Sequence, residues 1–170
     1  MDEKRIEQAV AAVIRELTGD GAAPVKASES LRKMTLKLAT AIIEKVEAEA
    51  ARMGVAAVIA VSDEKGRPVA IHCMDDAFMA SFDIALNKTF TSAGLKMSTA
   101  QLATLAQPGA PLYGIDRTND GKIVIFGGGE PLFVGERLIG ALGVSGGTAP
   151  QDTELAAYGS YIFKEVISCQ

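Results

Sequence analysis

The sequence predicts an α+β fold in which an antiparallel β-sheet of about five strands is flanked by helices. Two apolar runs, at 55–61 and 68–74, are separated by the turn Asp63-Glu64-Lys65-Gly66, and this pattern indicates a β-hairpin. Further along, residues 123–126 and 138–144 are rich in β-branched and aliphatic side chains, and each run leads into a cluster of glycines. Segments with helical periodicity lie before, between and after these runs. The predicted order is therefore helix, hairpin, helices, three-strand meander and helix.

The composition is that of one well-filled domain with a short appendage. The chain has 170 residues, of which 48% are hydrophobic. Its formal net charge of -4, with acids and bases interspersed, argues against nucleic acid or an anionic membrane as a partner. No apolar run approaches the roughly 20 residues that cross a bilayer, and charged residues stand where a signal peptide has its apolar core. We therefore expect a cytoplasmic protein.

An amphipathic helix is predicted over residues 1–18, and we expect it to be separate from the main domain at 28–170. Residues 19–27 contain small residues and Pro24, which is typical of a flexible linker. Because the apolar face of such a helix need not be covered by its own domain, we expect the helix to dock on a partner. The alternative is that it folds back onto its own domain or onto a symmetry mate. Its apolar stripe, the predicted partner-binding surface, consists of Ile6, Val10, Val13, Ile14 and Leu17.

The main domain is predicted to open with a long amphipathic helix that begins at Ser28 and ends near Gly54. Residues Ser98-Thr99-Ala100-Gln101 have the form of a capping box and start a short helix. Residues 108–121 are rich in Pro, Gly, Asn and Asp and are expected to form a loop at the rim of a cleft. The last helix opens at 150–152. Its apolar face consists of Leu155, Tyr158, Ile162 and Val166.

One further helix is predicted over 83–95, between the hairpin and the capping box. Its periodicity indicates that Ile84, Leu86 and Phe90 face the core. Lys88 is then expected on the polar side, where a helix lysine is solvated, paired with an acid or available to an anionic ligand.

Four motifs stand in order along the chain: DIALNK at 83–88, QPGAPLYG at 107–114, FGGGEP at 126–131 and GALGVSGGTAPQD at 140–152. Together they resemble the GlcG/HbpS-like family, also called haem-degrading, and in particular the C-terminal domain of PduO-type cobalamin adenosyltransferases. The resemblance implies a profilin-like sandwich, self-assembly into homo-oligomers and, in several members, haem binding. It does not imply one reaction.

Residues 1–18 lie outside that domain and resemble an encapsulation peptide, the amphipathic helix that carries cargo enzymes into bacterial microcompartments. The propanediol-type relatives of the domain belong to such organelles, so the two resemblances support each other. They imply shell or cargo proteins as partners of this helix and the lumen of a microcompartment as the location.

The side chain that binds a haem iron or a corrinoid cobalt is most naturally an imidazole, and the chain has one histidine, His72. Strand alternation puts His72 and Met74 on one face and Cys73 on the other. Because next-but-one residues of a strand lie about 7 Å apart on the same side, His72 and Met74 cannot bind one iron from opposite faces. The resemblance implies a ligand histidine on the helix at 28–53, which contains none here. The alternative for His72 is a surface or subunit contact.

Other residues are candidates for holding an anionic ligand. Lys88 suits a haem propionate or a carboxylate substrate. Backbone N–H groups at a glycine turn before a helix can hold an anion, although tight packing between subunits would need the same glycines. The candidate cofactor-binding residues are His72, Met74, Lys88, Gly127, Gly128, Gly129, Ser145, Gly146, Gly147 and Thr148.

The cysteines and the neighbouring acids indicate structure rather than chemistry. Cys73 and Cys169 are far apart and lack the spacing of metal ligands, so two reduced thiols are expected, one or both of them buried. Asp75 and Asp76 fit strand termination and helix capping better than paired acid–base work. We therefore expect no metal site.

We expect an accessory protein of a bacterial microcompartment that binds haem, a corrinoid or a small carbonyl or hydroxy-acid metabolite and assembles into oligomers. One alternative is a small redox or isomerising enzyme of the compartment, with His72 or Lys88 as the titrating group. Another is a purely structural scaffold that organises other cargo. The accessory protein is favoured because the sequence shows no catalytic constellation.

Overall fold

The computed structural model of the protein describes residues 3–18 and 33–168. Its helices are α1 (Glu3–Thr18), α2 (Leu36–Arg52), α3 (Ser81–Leu95), α4 (Thr99–Leu105) and α5 (Ala149–Ser168). Its strands are β1 (Val58–Asp63), β2 (Pro68–Cys73), β3 (Gly129–Val134) and β4 (Arg137–Ser145). The predicted linker at 19–27, the predicted helix start at Ser28 and the thiol of Cys169 lie outside the described residues. Within those residues, no helix has the length and apolar content that a membrane span requires.

The four strands form one antiparallel sheet in the order β2-β1-β4-β3. The predicted hairpin is confirmed, since β1 pairs with β2 and places Ile59 opposite His72. Within the described residues the sheet has four strands where about five are predicted, because residues 123–126 do not join it. Instead, Val124 N donates a hydrogen bond of 2.9 Å to Thr91 Oγ1, so this run lies against α3.

Helices cover both faces of the sheet. Helices α1, α2 and α5 enclose the main core on one face, and α3 lies across β1, β3 and β4 on the other. The predicted apolar face of the last helix is confirmed, since all four of its residues are buried: Leu155, Tyr158, Ile162 and Val166.

Two helix starts and one helix end follow the local sequence. Thr35 caps α2 by accepting a hydrogen bond from Leu38 N at 3.2 Å. The prediction of one continuous helix from Ser28 to near Gly54 is therefore wrong, because residues 33–35 are not helical and α2 begins at Leu36. The same helix ends at Arg52, close to Gly54 as predicted, and Gly54 has a φ of 68°. Ser98 caps α4 by accepting from Gln101 N at 3.1 Å, which confirms the predicted capping residue.

Helix α3 presents a different face to the sheet from the predicted one. The residues expected to face inward are only half-buried: Ile84, Leu86 and Phe90. Lys88, expected on the polar side, is fully buried instead. The cause is the close approach of α3 to β4, since a Cβ on Gly143 would collide with the backbone oxygen of Ala85. Small side chains therefore face the sheet, and the larger aliphatic ones lie at the flanks of the helix.

Helix α1 is present as predicted, but it is not separate from the domain. Ile6, Val10 and Val13 belong to the main core, and Val13 has no exposed surface. Ile14 and Leu17 are partly buried against the same core. The alternative in which the helix folds back describes this structure, because α2 and α5 present apolar sides that the stripe of α1 covers.

Candidate functional site

A buried ion pair joins the two layers of helices. Lys88 on α3 donates from Nζ to Asp152 Oδ2 at 2.8 Å and to the backbone oxygen of Val144 at 2.6 Å. The Lys88 side chain is 0% exposed and the Asp152 side chain 4%. The ring of Phe126 covers the same ammonium, with its centroid 5.0 Å from Nζ. Of the alternatives for Lys88, pairing with an acid is the one observed, and the ammonium does not face solvent where a propionate would meet it.

The surroundings of Lys88 change its proton affinity. Burial disfavours the charged ammonium and lowers the pKa of Lys88, while the hydrogen bond and the negative charge of Asp152 oppose this lowering. Asp152 also uses its second oxygen, because Oδ1 accepts a hydrogen bond from Gly147 N at 2.9 Å. One carboxylate therefore holds both α3 and the turn that precedes α5.

The glycine run at 127–129 packs over this ion pair. A Cβ at any of the three positions would come closer to neighbouring atoms than normal van der Waals contact allows. On Gly128, which has a φ of 113°, it would lie 2.6 Å from Lys88 Nζ, and on Gly129 it would lie 2.7 Å from the hydroxyl of Ser92. Close packing and backbone conformation therefore account for these glycines without a ligand.

The glycine turn at 145–148 is held from within the chain. Thr148 N donates to Gln151 Oε1 at 2.9 Å, and Gly147 N donates to Asp152. These two N–H groups are among those predicted to bind an anion, and both already donate to side chains of the same protein. The turn therefore caps the start of α5, and this role explains its hydrogen bonds better than anion binding does.

Ser145 and Gly146 are engaged with neighbouring elements. Ser145 Oγ donates to Ser81 Oγ at 3.2 Å, at the start of α3. A Cβ on Gly146 would lie 2.6 Å from Ala57 Cα. Close packing therefore requires a small residue here. Packing between subunits is the alternative reason that the sequence suggests for these glycines, but the packing partner lies in the same chain.

An open cleft of about 420 Å³ borders this turn. Its walls are formed by residues 54–56, Asp76, Phe78, 146–148 and Gln151. Asp76 has a left-handed backbone with a φ of 65°, and Phe78 is 71% exposed. Neither Lys88 nor the loop at 108–121, which the sequence places at a rim, belongs to the described walls.

His72 lies on the edge strand β2, on the face that α2 covers. Its Nδ1 is 3.1 Å from Glu47 Oε2, and the two side chains are 35% and 34% exposed. When Nδ1 carries the proton, it donates to Glu47 and leaves the Nε2 lone pair for another partner. Met74 is already engaged, because its Sδ accepts a hydrogen bond from Ala57 N at 3.4 Å. Cys73 is exposed, so the expected burial does not apply to this thiol.

His72 and the Lys88 ion pair do not form one site. Across the sheet, His72 lies opposite Ile59 on β1, and Ile59 lies opposite Val144 on β4. His72 is thus two strand spacings, about 10 Å, from the backbone of Val144, which Lys88 reaches from the other face. In the part of the chain that the structure describes, no group of three or more His, Cys, Asp or Glu residues is placed to hold a metal ion.

Three side chains on which these clusters depend are not revealed by the sequence pattern: Glu47, Phe126 and Asp152. An acid in the first turn of a helix is ordinary, so Asp152 does not stand out. Glu47 reads as part of the solvated side of its helix. The one usable signal is Lys88, which stands in a helix whose other charged residue is Asp83.

Comparison with known proteins agrees with this fold. The family model described as "Haem degrading protein HbpS-like" matches residues 34–160. The crystal structure of the Klebsiella pneumoniae protein ORFY matches with a TM-score of 0.76 and 40% identity, covering 84% of this chain and 98% of that one. The crystal structure of a PduOC:haem complex matches with a TM-score of 0.69 and 34% identity, covering 71% of this chain and 88% of that one.

One curated relative is a much longer protein. The corrinoid adenosyltransferase PduO of Salmonella typhimurium is 37% identical over 120 residues, which make up 71% of this chain and 34% of that protein. The chain thus spans about a third of the length of that relative. The extent of the family match and the similarity to these proteins show that the chain belongs to the HbpS-like family.

Proposed function

We propose that the protein is a haem-binding accessory protein and that His72 is the residue that would bind the iron. The observation that carries this proposal is the contact of His72 Nδ1 with Glu47 Oε2 at 3.1 Å. A carboxylate in that position fixes the orientation and tautomer of the ring, as it does behind metal-bound histidines. The similarity to PduOC, whose matching structure is a complex with haem, supports the proposal.

The residues around His72 fit a haem better than the other candidates do. The imidazole is about one-third exposed, so a ligand reaches it from solvent. Ala70 and Met74, the alternate residues on either side of it, are partly buried apolar groups that a flat apolar molecule along β2 would contact. Lys88 and the glycine runs are committed to internal contacts. Haem at this position would supply an iron centre for electron transfer or for binding a small molecule.

A titration of the purified protein with haemin, followed by absorbance, tests this proposal. We expect a saturable Soret shift, and we expect His72→Ala to weaken binding by about tenfold or more because the iron loses its nitrogen ligand. Lys65→Ala changes an exposed residue in the turn of the same hairpin and serves as the matched control. Equal affinity of His72→Ala and the wild type would contradict the proposal. Tighter binding of cobalamin than of haemin in a parallel titration would favour the corrinoid alternative.

We further propose that the protein is cargo of a bacterial microcompartment and that shell proteins bind α1. Two observations support this: α1 is amphipathic, and it precedes the family domain, which matches from residue 34. Polar substitution of Ile6, Val10 and Leu17 is expected to abolish capture by shells. Arg15→Ala, on the exposed side of α1, is the control. Unchanged capture of the polar variant would end this proposal.

Self-assembly is the third part of the proposal. Phe78 and Met79, just before α3, and Phe82, in its first turn, are 71%, 94% and 43% exposed. Neighbouring large apolar side chains that face solvent are typical of protein contact surfaces. Met79→Lys is therefore expected to reduce the mass measured by light scattering. A monomeric wild type would contradict this part.

An enzyme is less well supported. One of its two candidate titrating groups, Lys88, has no exposed surface and is bound to Asp152. The other, His72, contacts Glu47 at a partly exposed strand edge. Turnover that disappears in both His72→Ala and Lys88→Ala while the fold survives would favour the enzyme over the accessory protein.

A further inference from the structure

Helix α1 is attached to its own domain by the residues that the sequence assigns to a partner. Ile6, Val10 and Val13 are buried in the main core between α1, α2 and α5. Polar contacts surround this apolar patch. Among the described residues they include the ion pair of Arg5 with Glu49, the ion pair of Glu16 with Lys45 at 3.1 Å, and the hydrogen bond from Lys37 Nζ to Leu17 O at 3.0 Å.

The polar contacts lie at the edge of the attachment. The side chains of Arg5 and Glu16 are 37% and 41% exposed, and ion pairs that water reaches contribute little to stability. Burial of the aliphatic side chains of α1 therefore supplies most of the attachment. An attachment of this size allows a helix to open locally while the rest of the domain stays folded.

The domain keeps its internal contacts when α1 leaves. Glu49, which forms an ion pair with Arg5, is 7% exposed, and its carboxylate also binds Arg52 at 2.6 Å. Departure of Arg5 thus does not leave a buried charge without a partner, which would be strongly unfavourable. The family match begins at residue 34, after α1, so the family domain is defined without this helix.

We infer that α1 is a releasable helix and that its attachment to α2 and α5 competes with its binding to a partner. The inference rests on the proposed role of α1 as the partner-binding segment. Because Ile6, Val10 and Val13 cannot be buried on two surfaces at once, a partner binds α1 only after the helix leaves its own domain. On its own domain, α1 is held by an apolar surface and by the carboxylate of Glu49, which pairs with Arg5. The partner that fits α1 therefore has an apolar groove for an amphipathic helix and a carboxylate that pairs with Arg5.

Hydrogen exchange of the full chain, followed by mass spectrometry, tests release without any partner. We expect the amides of Glu3–Thr18 to exchange by local opening and faster than those of α5. Arg5→Ala is expected to speed the exchange of α1 by about threefold or more and to leave α5 unchanged. Arg15→Ala, at an exposed position on the same helix, should change neither. Exchange of α1 only together with α5, through global unfolding, would overturn the inference.

A reversible cross-link tests the competition itself. Glu16→Cys and Lys45→Cys, in a chain that also carries Cys73→Ser and Cys169→Ser, are bridged by a bifunctional methanethiosulfonate reagent that a reductant cleaves. Recombinant microcompartment shells serve as the probe. We expect no capture of the cross-linked protein and full capture after reduction.

The remaining outcomes of this experiment separate the two ideas. Capture of the cross-linked protein would overturn the competition while the proposed role of α1 stands. If neither the cross-linked, the reduced nor the wild-type protein is captured, the proposed role of α1 is wrong, and the competition falls with it.

Discussion

Lys88 Nζ lies 2.8 Å from Asp152 Oδ2, and this contact spans the sheet, because Lys88 belongs to α3 on one face and Asp152 to α5 on the other. The backbone around Gly128 and Val144 encloses the pair. Three of the four motifs that identify the family, those at 83–88, 126–131 and 140–152, therefore meet at one buried cluster. These three motifs contain the residues that join α3 on one face of the sheet to α5 on the other. The ligand site that we propose lies elsewhere, at His72.

Breaking this pair is expected to destabilise the fold strongly. In Lys88→Met, Asp152 remains buried without its cation, so we expect the free energy of unfolding to fall by about 3–5 kcal/mol. Urea unfolding measures the loss. The control is Lys65→Met, which removes an exposed lysine and should change stability by no more than about 0.5 kcal/mol. Similar losses in the two variants would mean that the pair does not hold the layers together.

Gly128→Ala is expected to cost more than an ordinary substitution at a glycine with positive φ. The added Cβ would lie 2.6 Å from Lys88 Nζ, and the backbone has a φ of 113°. Gly135→Ala is the matched control, since Gly135 has a φ of 59° and open space around it. We expect the control to lose about 1–2 kcal/mol from backbone strain alone, and Gly128→Ala to lose clearly more. Thermal unfolding compares them, and a smaller loss at Gly128 would contradict this packing.

Glu49 is expected to make the fold sensitive to acid. The hydrogen bond from Arg52 is the main cause that holds the pKa of Glu49 below its ordinary value of 4.5; burial opposes it, and Arg5 adds to the lowering. On acidification the unfolded chain binds the proton first, so the stabilisation is complete above pH 4.5 and is lost as the pH falls through the folded-state pKa.

Urea unfolding of the wild type and Glu49→Gln across this acid range measures the effect. The variant is expected to be less stable at neutral pH and to lose less stability on acidification. The same pH dependence in both proteins would show that Glu49 is not the responsible group.

Glu47→Gln tests whether the carboxylate behind His72 supports the ligand. A glutamine amide binds Nδ1 less strongly than a carboxylate, so we expect haem affinity to fall by about tenfold. Glu44→Gln, one turn away on the exposed side of α2, is the control. Absorbance titration gives both affinities. Loss of binding in the control as well would indicate a general effect of charge.

The elements that depend on local sequence are predicted well. The hairpin follows from two apolar runs around a turn, and Ser98 follows from its capping box. The strand expected at 123–126 is wrong because Thr91, a residue of another element, takes up the N–H of Val124. A β-branched run shows that a segment is buried and extended, but it does not name the partner of its backbone.

The candidate site is less predictable for the same reason. Lys88 looks like a surface lysine until Asp152, which is 64 residues away, is placed beside it. The stripe of α1 shows that some surface covers Ile6, Val10 and Val13, and the pattern is the same whether that surface belongs to a partner or to the chain itself. Contacts of this kind are set by packing between distant segments.

The resonance Raman spectrum of the ferrous haem complex of the untagged protein tests whether His72 binds the iron. His72 is the one histidine of the chain, so an iron–histidine stretching band can come from no other residue of the protein. We expect this band in the wild type and its loss in His72→Ala. A five-coordinate ferrous complex of the wild type without the band, or a band that persists in His72→Ala, would contradict ligation by His72.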